Sequence, residues 1–149
     1  MPNLTKRPTL TLIRGLPGSG KSTIAEVHFK PEGYIHLEAD MYYVDESGIY
    51  RFDANQLNQA HDWCQNATEQ ALRQGSDVVV SNTFVQLWEL EPYKVMANRY
   101  QASINIVEAK GDYASIHDVP DKTIRVMKRK WHVIPKQWRK EMKVTQYGK

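Results

Sequence analysis

Residues 9–22 read "TLTLIRGLPGSGKS": six residues rich in β-branched side chains, then a loop with three glycines and one proline, then a lysine and a hydroxyl. Gly15, Gly20, Lys21 and Ser22 satisfy the spacing G-x-x-x-x-G-K-[ST]. The following "KSTIAEVHFK" predicts a helix stopped by Pro31 and Gly33. Strand, glycine loop and helix stand in the order that phosphate binding needs. Glycines let successive backbone N–H groups curl round phosphate oxygens, and the dipole of the following helix adds favourable charge. Gly15, Leu16, Pro17, Gly18, Ser19, Gly20, Lys21, Ser22 and Thr23 are therefore the expected cradle of a nucleoside triphosphate. Lys21 is expected to reach the β- and γ-phosphates and the Ser22 hydroxyl to ligate Mg²⁺.

Downstream, strand and helix patterns alternate. Strands are predicted at 34–39 ("YIHLEA"), 77–81 ("DVVVS") and 103–109 ("SINIVEA"). "DVVVS" has the continuous apolar character of a strand covered on both faces of a parallel sheet. Helices are predicted from Asn55 to about Gly75, from about Glu89 to Gln101 with Pro92 in the first turn, and over "HDVPDKTIRVMKRKW" (117–131). The chain beyond "VIP" carries no assignable element. The fold class this implies is α/β: a three-layer sandwich around a mainly parallel sheet of four or five strands, with the glycine loop in the P-loop NTPase position after the first strand. A ligand then belongs at the carboxyl ends of the strands.

A length of 149 residues fits one domain over 1–149, with a lid region at about 111–131 and a basic C-terminal segment at 132–149. The single cysteine, Cys64, rules out an intramolecular disulfide. "MPNLTKRPTLTLIRG" lacks an apolar run long enough for a signal peptide or a span, so the expectation is a cytoplasmic protein with no membrane association. Charge is uneven: residues 32–93 hold eleven Asp/Glu against two Lys/Arg, and residues 122–149 hold ten Lys/Arg against Glu141 alone. The basic end suits a polyanionic ligand or a solvated helix and tail.

Asp40 closes the second strand, where it could accept a proton from an attacking hydroxyl or simply cap the next segment. Asn82 and Thr83 close the third with hydrogen-bonding side chains in place of a metal-binding carboxylate, which points to substrate positioning or to an ordinary turn. Arg125 and Arg129, with Lys122, Lys128 and Lys130, could neutralise charge on a transferred phosphoryl group. Trp63, Trp88, Tyr42, Tyr43 and Tyr50 are read as packing or amphipathic residues in preference to a base-stacking set, and His61 as packed or surface. No zinc spacing and no Ser–His–Asp arrangement is present.

Four stretches, "GLPGSGKS", "ADMYYVDESGIYRFDANQLNQAHDWC", "VVVSNTFVQLWELEPYKVMA" and "HDVPDKTIRVMKRKW", in this order resemble the polynucleotide kinase-like branch of the P-loop kinases over residues 9–131. The resemblance implies ATP-dependent phosphoryl transfer to a hydroxyl, with ATP and Mg²⁺ as cofactors and an oligonucleotide as a candidate acceptor. It makes Asp40 the base, Asn82 and Thr83 the acceptor contacts, and the helix after "HDVP" the lid, with Arg125 and Arg129 as its candidate cations. Tyr43 stands where that family places an arginine for the acceptor's phosphate, and "KGDYAS" is short and lacks the expected lid arginine. Two other readings stay open: an ATP-binding module acting through partners with little catalysis, and a small-molecule kinase like the zeta-toxin kinases, which resemble this chain in the same loop and aspartate.

Overall fold

The computed structural model describes residues 7–113 and 119–148. Five strands form one parallel sheet: β1 (Thr9–Arg14), β2 (Ile35–Leu37), β3 (Val78–Asn82), β4 (Ser103–Ala109) and β5 (Lys143–Tyr147), in the order β2-β3-β1-β4-β5. Leu12 at the centre pairs with Val80 on one side and Ile106 on the other. Every residue of β3 is buried, as its unbroken apolar run requires.

Two apolar layers cover the sheet. On one face Leu10, Leu12, Val78, Val80 and Ile106 meet α2 (Leu57–Arg73), α3 (Leu87–Arg99) and α5 (Lys136–Glu141) through Cys64, Tyr93 and Trp138. On the other, Ile13, Val79 and Val107 meet Ile24, Ala25 and Phe29 from the helical segment after the glycine loop. That segment starts as α1 (Lys21–Ile24), widens to a π-turn over Ala25–Phe29, and ends in a 3₁₀ turn at Gly33, whose φ of 95° admits glycine without strain. The result is the expected three-layer α/β sandwich.

Boundaries differ from the sequence reading where caps act. Asp53 accepts from the backbone N–H of Asn55 at 2.9 Å, so a 3₁₀ turn (Ala54–Gln56) precedes α2. Glu89 accepts from the N–H of Gln86 at 2.9 Å and starts α3 at Leu87, two residues early. Pro92 then lies inside the helix, beyond its first turn, and the Trp88 carbonyl lacks the usual helical donor. Beyond "VIP", which the sequence left unassigned, lie α5 and the edge strand β5. The helix at the basic end is α4 (Asp121–Lys130); residues 114–118 of the expected lid lie outside the described residues. Among the described residues no helix is long and apolar enough to cross a membrane.

Candidate functional site

The glycine loop emerges from β1, the central strand. The Gly15 N–H donates to the Thr83 carbonyl at 3.3 Å, which ties the loop's first residue to the end of β3. A Cβ on Gly15 would clash with Ser19 Oγ and stand 3.0 Å from the Ala109 carbonyl, so any larger residue would force these neighbours to shift. Gly18 and Gly20 hold φ of 82° and 92°, the left-handed region. From the opposite side the segment after β4 grips the loop: Gly111 N–H donates to Ser19 O at 3.1 Å and Tyr113 N–H to Gly18 O at 2.6 Å. Inside this collar the Ser19 hydroxyl is buried with no hydrogen-bond partner among the described residues. An orphaned buried hydroxyl in a ring of backbone amides is what a phosphate cradle presents.

Lys21 Nζ donates to Leu16 O at 3.3 Å. Burial lowers its pKa, while the charges of Glu38 and Asp40 oppose that shift, so the ammonium lies in the field of both carboxylates. Ser22 Oγ donates to Glu38 Oε2, an oxygen that also accepts from Ser81 Oγ at 2.6 Å and lies 3.4 Å from His36 Nε2. Burial pushes the Glu38 pKa up, but bonds from His36, Ser22 and Ser81 prevail and hold it at about 2. His36 is itself clasped, its Nδ1 2.7 Å from Glu26 and its Nε2 2.7 Å from Ser81 Oγ. Burial would lower the His36 pKa; its two glutamate partners outweigh that and raise it. Glu38, absent from the sequence-based candidates, is thus an ionised oxygen donor on the hydroxyl expected to bind Mg²⁺. Hard oxygen ligands of this kind fit that ion. Among the described residues no cluster of three or more His, Cys, Asp or Glu side chains forms a metal site on its own.

Asp40 stands two residues beyond Glu38, half-buried in a 3₁₀ turn over Ala39–Tyr43. Tyr50 donates its phenol to Asp40 Oδ1 at 3.3 Å, and burial together with the Asp40 charge pushes the Tyr50 pKa up to about 12. Asn82 fixes this turn to β3: its Oδ1 accepts from the Ala39 N–H at 2.9 Å, and its Nδ2 points at Cys64 Sγ, 3.8 Å away. Its carboxamide therefore positions Asp40's turn. Thr83 contributes its carbonyl to Gly15.

Tyr43, a candidate substrate contact from its place in the family's motif, is 5% exposed, with ring centroids of Phe52, Tyr42 and Tyr50 within 5.1–6.0 Å and its hydroxyl buried with no hydrogen-bond partner among the described residues. Packing against these three rings accounts for its burial. Arg125 and Arg129 are exposed on α4, whose inward stripe is Ile124, Lys128 and the following Trp131. That stripe, with Leu16, Pro17 and the Lys110–Tyr113 segment, walls a cavity of about 780 Å³ beside the glycine loop. Lys128 and Lys110 are the cations that reach it, because Arg125 and Arg129 lie one residue round the helix, roughly 100° away. Trp88, read as a packing or amphipathic residue, is 67% exposed on α3.

Arg14, also unremarked in sequence, ends β1 at 0% exposure. Its Nη1 pairs with Glu108 Oε2 at 3.0 Å, Nε and Nη2 donate to Phe84 O at 3.1 and 2.9 Å, and Nη2 donates to Val85 O at 3.1 Å. The Trp131 ring covers its guanidinium at 3.8 Å. One buried cation thus joins β1, β4, the segment after β3 and the foot of α4.

A glycine loop between the central strand and the first helix, in a parallel sheet ordered β2-β3-β1-β4-β5, defines a P-loop protein of kinase-like topology. The chain belongs to the AAA domain family, whose model matches residues 10–118. It is 37% identical over 98 residues to human NEDD4-binding protein 2; the match covers 64% of this chain and 5% of that much longer protein. Among solved structures, a chain of the Pnkp1/Rnl/Hen1 complex superposes with a TM-score of 0.60 at 21% identity, covering 95% of this chain and 45% of that one. A gluconokinase from Sinorhizobium meliloti 1021 superposes with a TM-score of 0.58 at 16% identity, covering 97% of this chain and 85% of the other. At these identities the solved structures carry the fold alone.

Proposed function

We propose that this domain is a kinase: it binds ATP with Mg²⁺ and transfers the γ-phosphoryl group to a hydroxyl, the 5′-hydroxyl of a polynucleotide. The observation that carries the reading is the meeting of Lys21 and Ser22 with Glu38 and Asp40, two carboxylates of one short segment with different surroundings. Glu38 is bound to Ser22 and held ionised; these two residues would hold Mg²⁺, which supplies charge neutralisation across the β- and γ-phosphates. Asp40 accepts one hydrogen bond from Tyr50 and lies close enough to Lys21 to act on its charge. In the proposed step the acceptor oxygen bonds to the γ-phosphorus, its proton passes to Asp40, and the bond to the β-phosphate oxygen breaks to leave ADP. Lys21 balances the charge on the moving phosphoryl group. The ten-to-one excess of cations over residues 122–149 supports a polyanionic acceptor such as a polynucleotide.

The test is transfer of label from γ-labelled ATP to a panel of 5′-hydroxyl RNA, 5′-hydroxyl DNA, nucleosides and nucleotide-sugars. Label on either oligonucleotide is expected. Label on a small molecule alone would replace the acceptor, and tight ATP binding with no labelled product would replace the kinase reading.

A further inference from the structure

We infer that Trp88 and Val133, beside the basic end of α4, form a platform on which a base of a single-stranded nucleic acid stacks. The inference rests on the kinase reading only in making that strand the acceptor.

Both side chains are large, apolar and open to solvent, at 67% and 73% exposure. They belong to neighbouring segments. The Leu87 N–H donates to His132 Nδ1 at 3.0 Å, and the His132 N–H donates to Val85 O at 2.9 Å, so the residue after each of these partners is Trp88 on one segment and Val133 on the other. The indole N–H is already satisfied by Gln86 Oε1 at 2.8 Å, which fixes the ring's polar edge and leaves apolar surface for a ligand. The support beneath is rigid: Val85 O accepts from buried Arg14, and Trp131, next to His132, lies on the same guanidinium. A pre-fixed ring loses little freedom on stacking.

Charge selects the occupant. Lys128, Arg129 and Lys130 precede this corner and Lys136 follows it, all exposed. The one carboxylate in residues 122–148, Glu141, stands 3.9 Å from Lys94. An apolar protein partner would use the indole and the valine but leave these cations unanswered. A polyanion with flat aromatic faces uses both, and single strands expose those faces where duplexes bury them. The platform follows β3 by a few residues and so lies toward the carboxyl edge of the sheet, the edge that carries Asp40.

The experiment measures anisotropy of a short 3′-labelled oligonucleotide, as RNA and as DNA, single-stranded and duplex, against the full chain, with a fluorescent ATP analogue titrated in parallel. Trp88→Ala and Val133→Asp are expected to weaken single-strand binding, the former by roughly 5- to 100-fold, while Trp88→Phe retains most of it and ATP-analogue binding is unchanged in all three. Arg129→Ala with Lys130→Ala is expected to flatten the salt dependence. Unaltered oligonucleotide affinity in Trp88→Ala overturns the proposal, as does wild-type preference for duplex, or loss of self-association in Trp88→Ala with oligonucleotide affinity intact. Failure of the wild type to bind the ATP analogue would sink the kinase reading and leave this measurement standing.

Discussion

Glu38 carries more of the site than its place in the sequence suggests, because one of its oxygens gathers Ser22, Ser81 and His36 at once. Its folded pKa of about 2 lies below its ordinary 4.5, so it contributes stability that is present above about pH 4.5 and lost as pH falls toward 2. A shift of that size corresponds to about 3 kcal/mol. Glu38→Gln is therefore expected to lower the unfolding free energy by up to about that amount at neutral pH, with the gap to wild type closing by about pH 2. Urea titrations across that range check it; a gap independent of pH would mean that packing, and not charge, holds this corner. No sequence signal marked Glu38, since its hydroxyl partners Ser22 and Ser81 lie 16 and 43 residues away and meet it only when β2, β3 and the glycine loop come together. The glycine loop was legible for the opposite reason: the positive φ values of Gly18 and Gly20 are local requirements that the sequence itself declares.

At the scale of elements, Arg14 and Glu108 tie β1 to β4, and the carbonyls of Phe84 and Val85 draw the segment after β3 onto the same cation. Removing one partner leaves a buried charge uncompensated. Arg14→Met is expected to cost about 3–5 kcal/mol, and the double change Arg14→Met with Glu108→Met to recover much of it. Chemical denaturation of the two singles and the double reads the coupling; additive losses would deny that the pair acts as a unit. Which elements the sequence revealed follows the same physics of burial. β4 was readable to the residue because "SINIVEA" packs between two strands, and β3 to within one residue because both its faces are covered. β5 was missed because "KVTQY" is an edge strand, partly polar and open to water, whose pairing with β4 depends on tertiary contact alone. α4 was legible as a helix, but which cations its inward stripe presents depended on how it sits against Leu16 and Pro17.

Across the whole molecule, charge divides along the carboxyl edge of the sheet. The acidic stretch at 32–93 supplies Glu38 and Asp40 at the β2 side, and the basic stretch at 122–149 supplies α4, α5 and β5 at the other. The glycine loop rises from β1 between them, so a triphosphate there would have cations on one flank and carboxylates on the other. The uneven charge was visible in composition; its arrangement about a central loop needed the strand order. The account turns on Asp40 acting as the proton acceptor in a transfer that Lys21 supports. The most direct measurement compares wild type, Lys21→Ala and Asp40→Asn for transfer of label from γ-labelled ATP to a 5′-hydroxyl oligonucleotide, with binding of an ATP analogue followed alongside. Asp40→Asn is expected to slow transfer by about 10²–10⁴-fold with nucleotide binding intact, and Lys21→Ala to lose transfer altogether. Transfer by Asp40→Asn at the wild-type rate, with Lys21→Ala inactive, would contradict it.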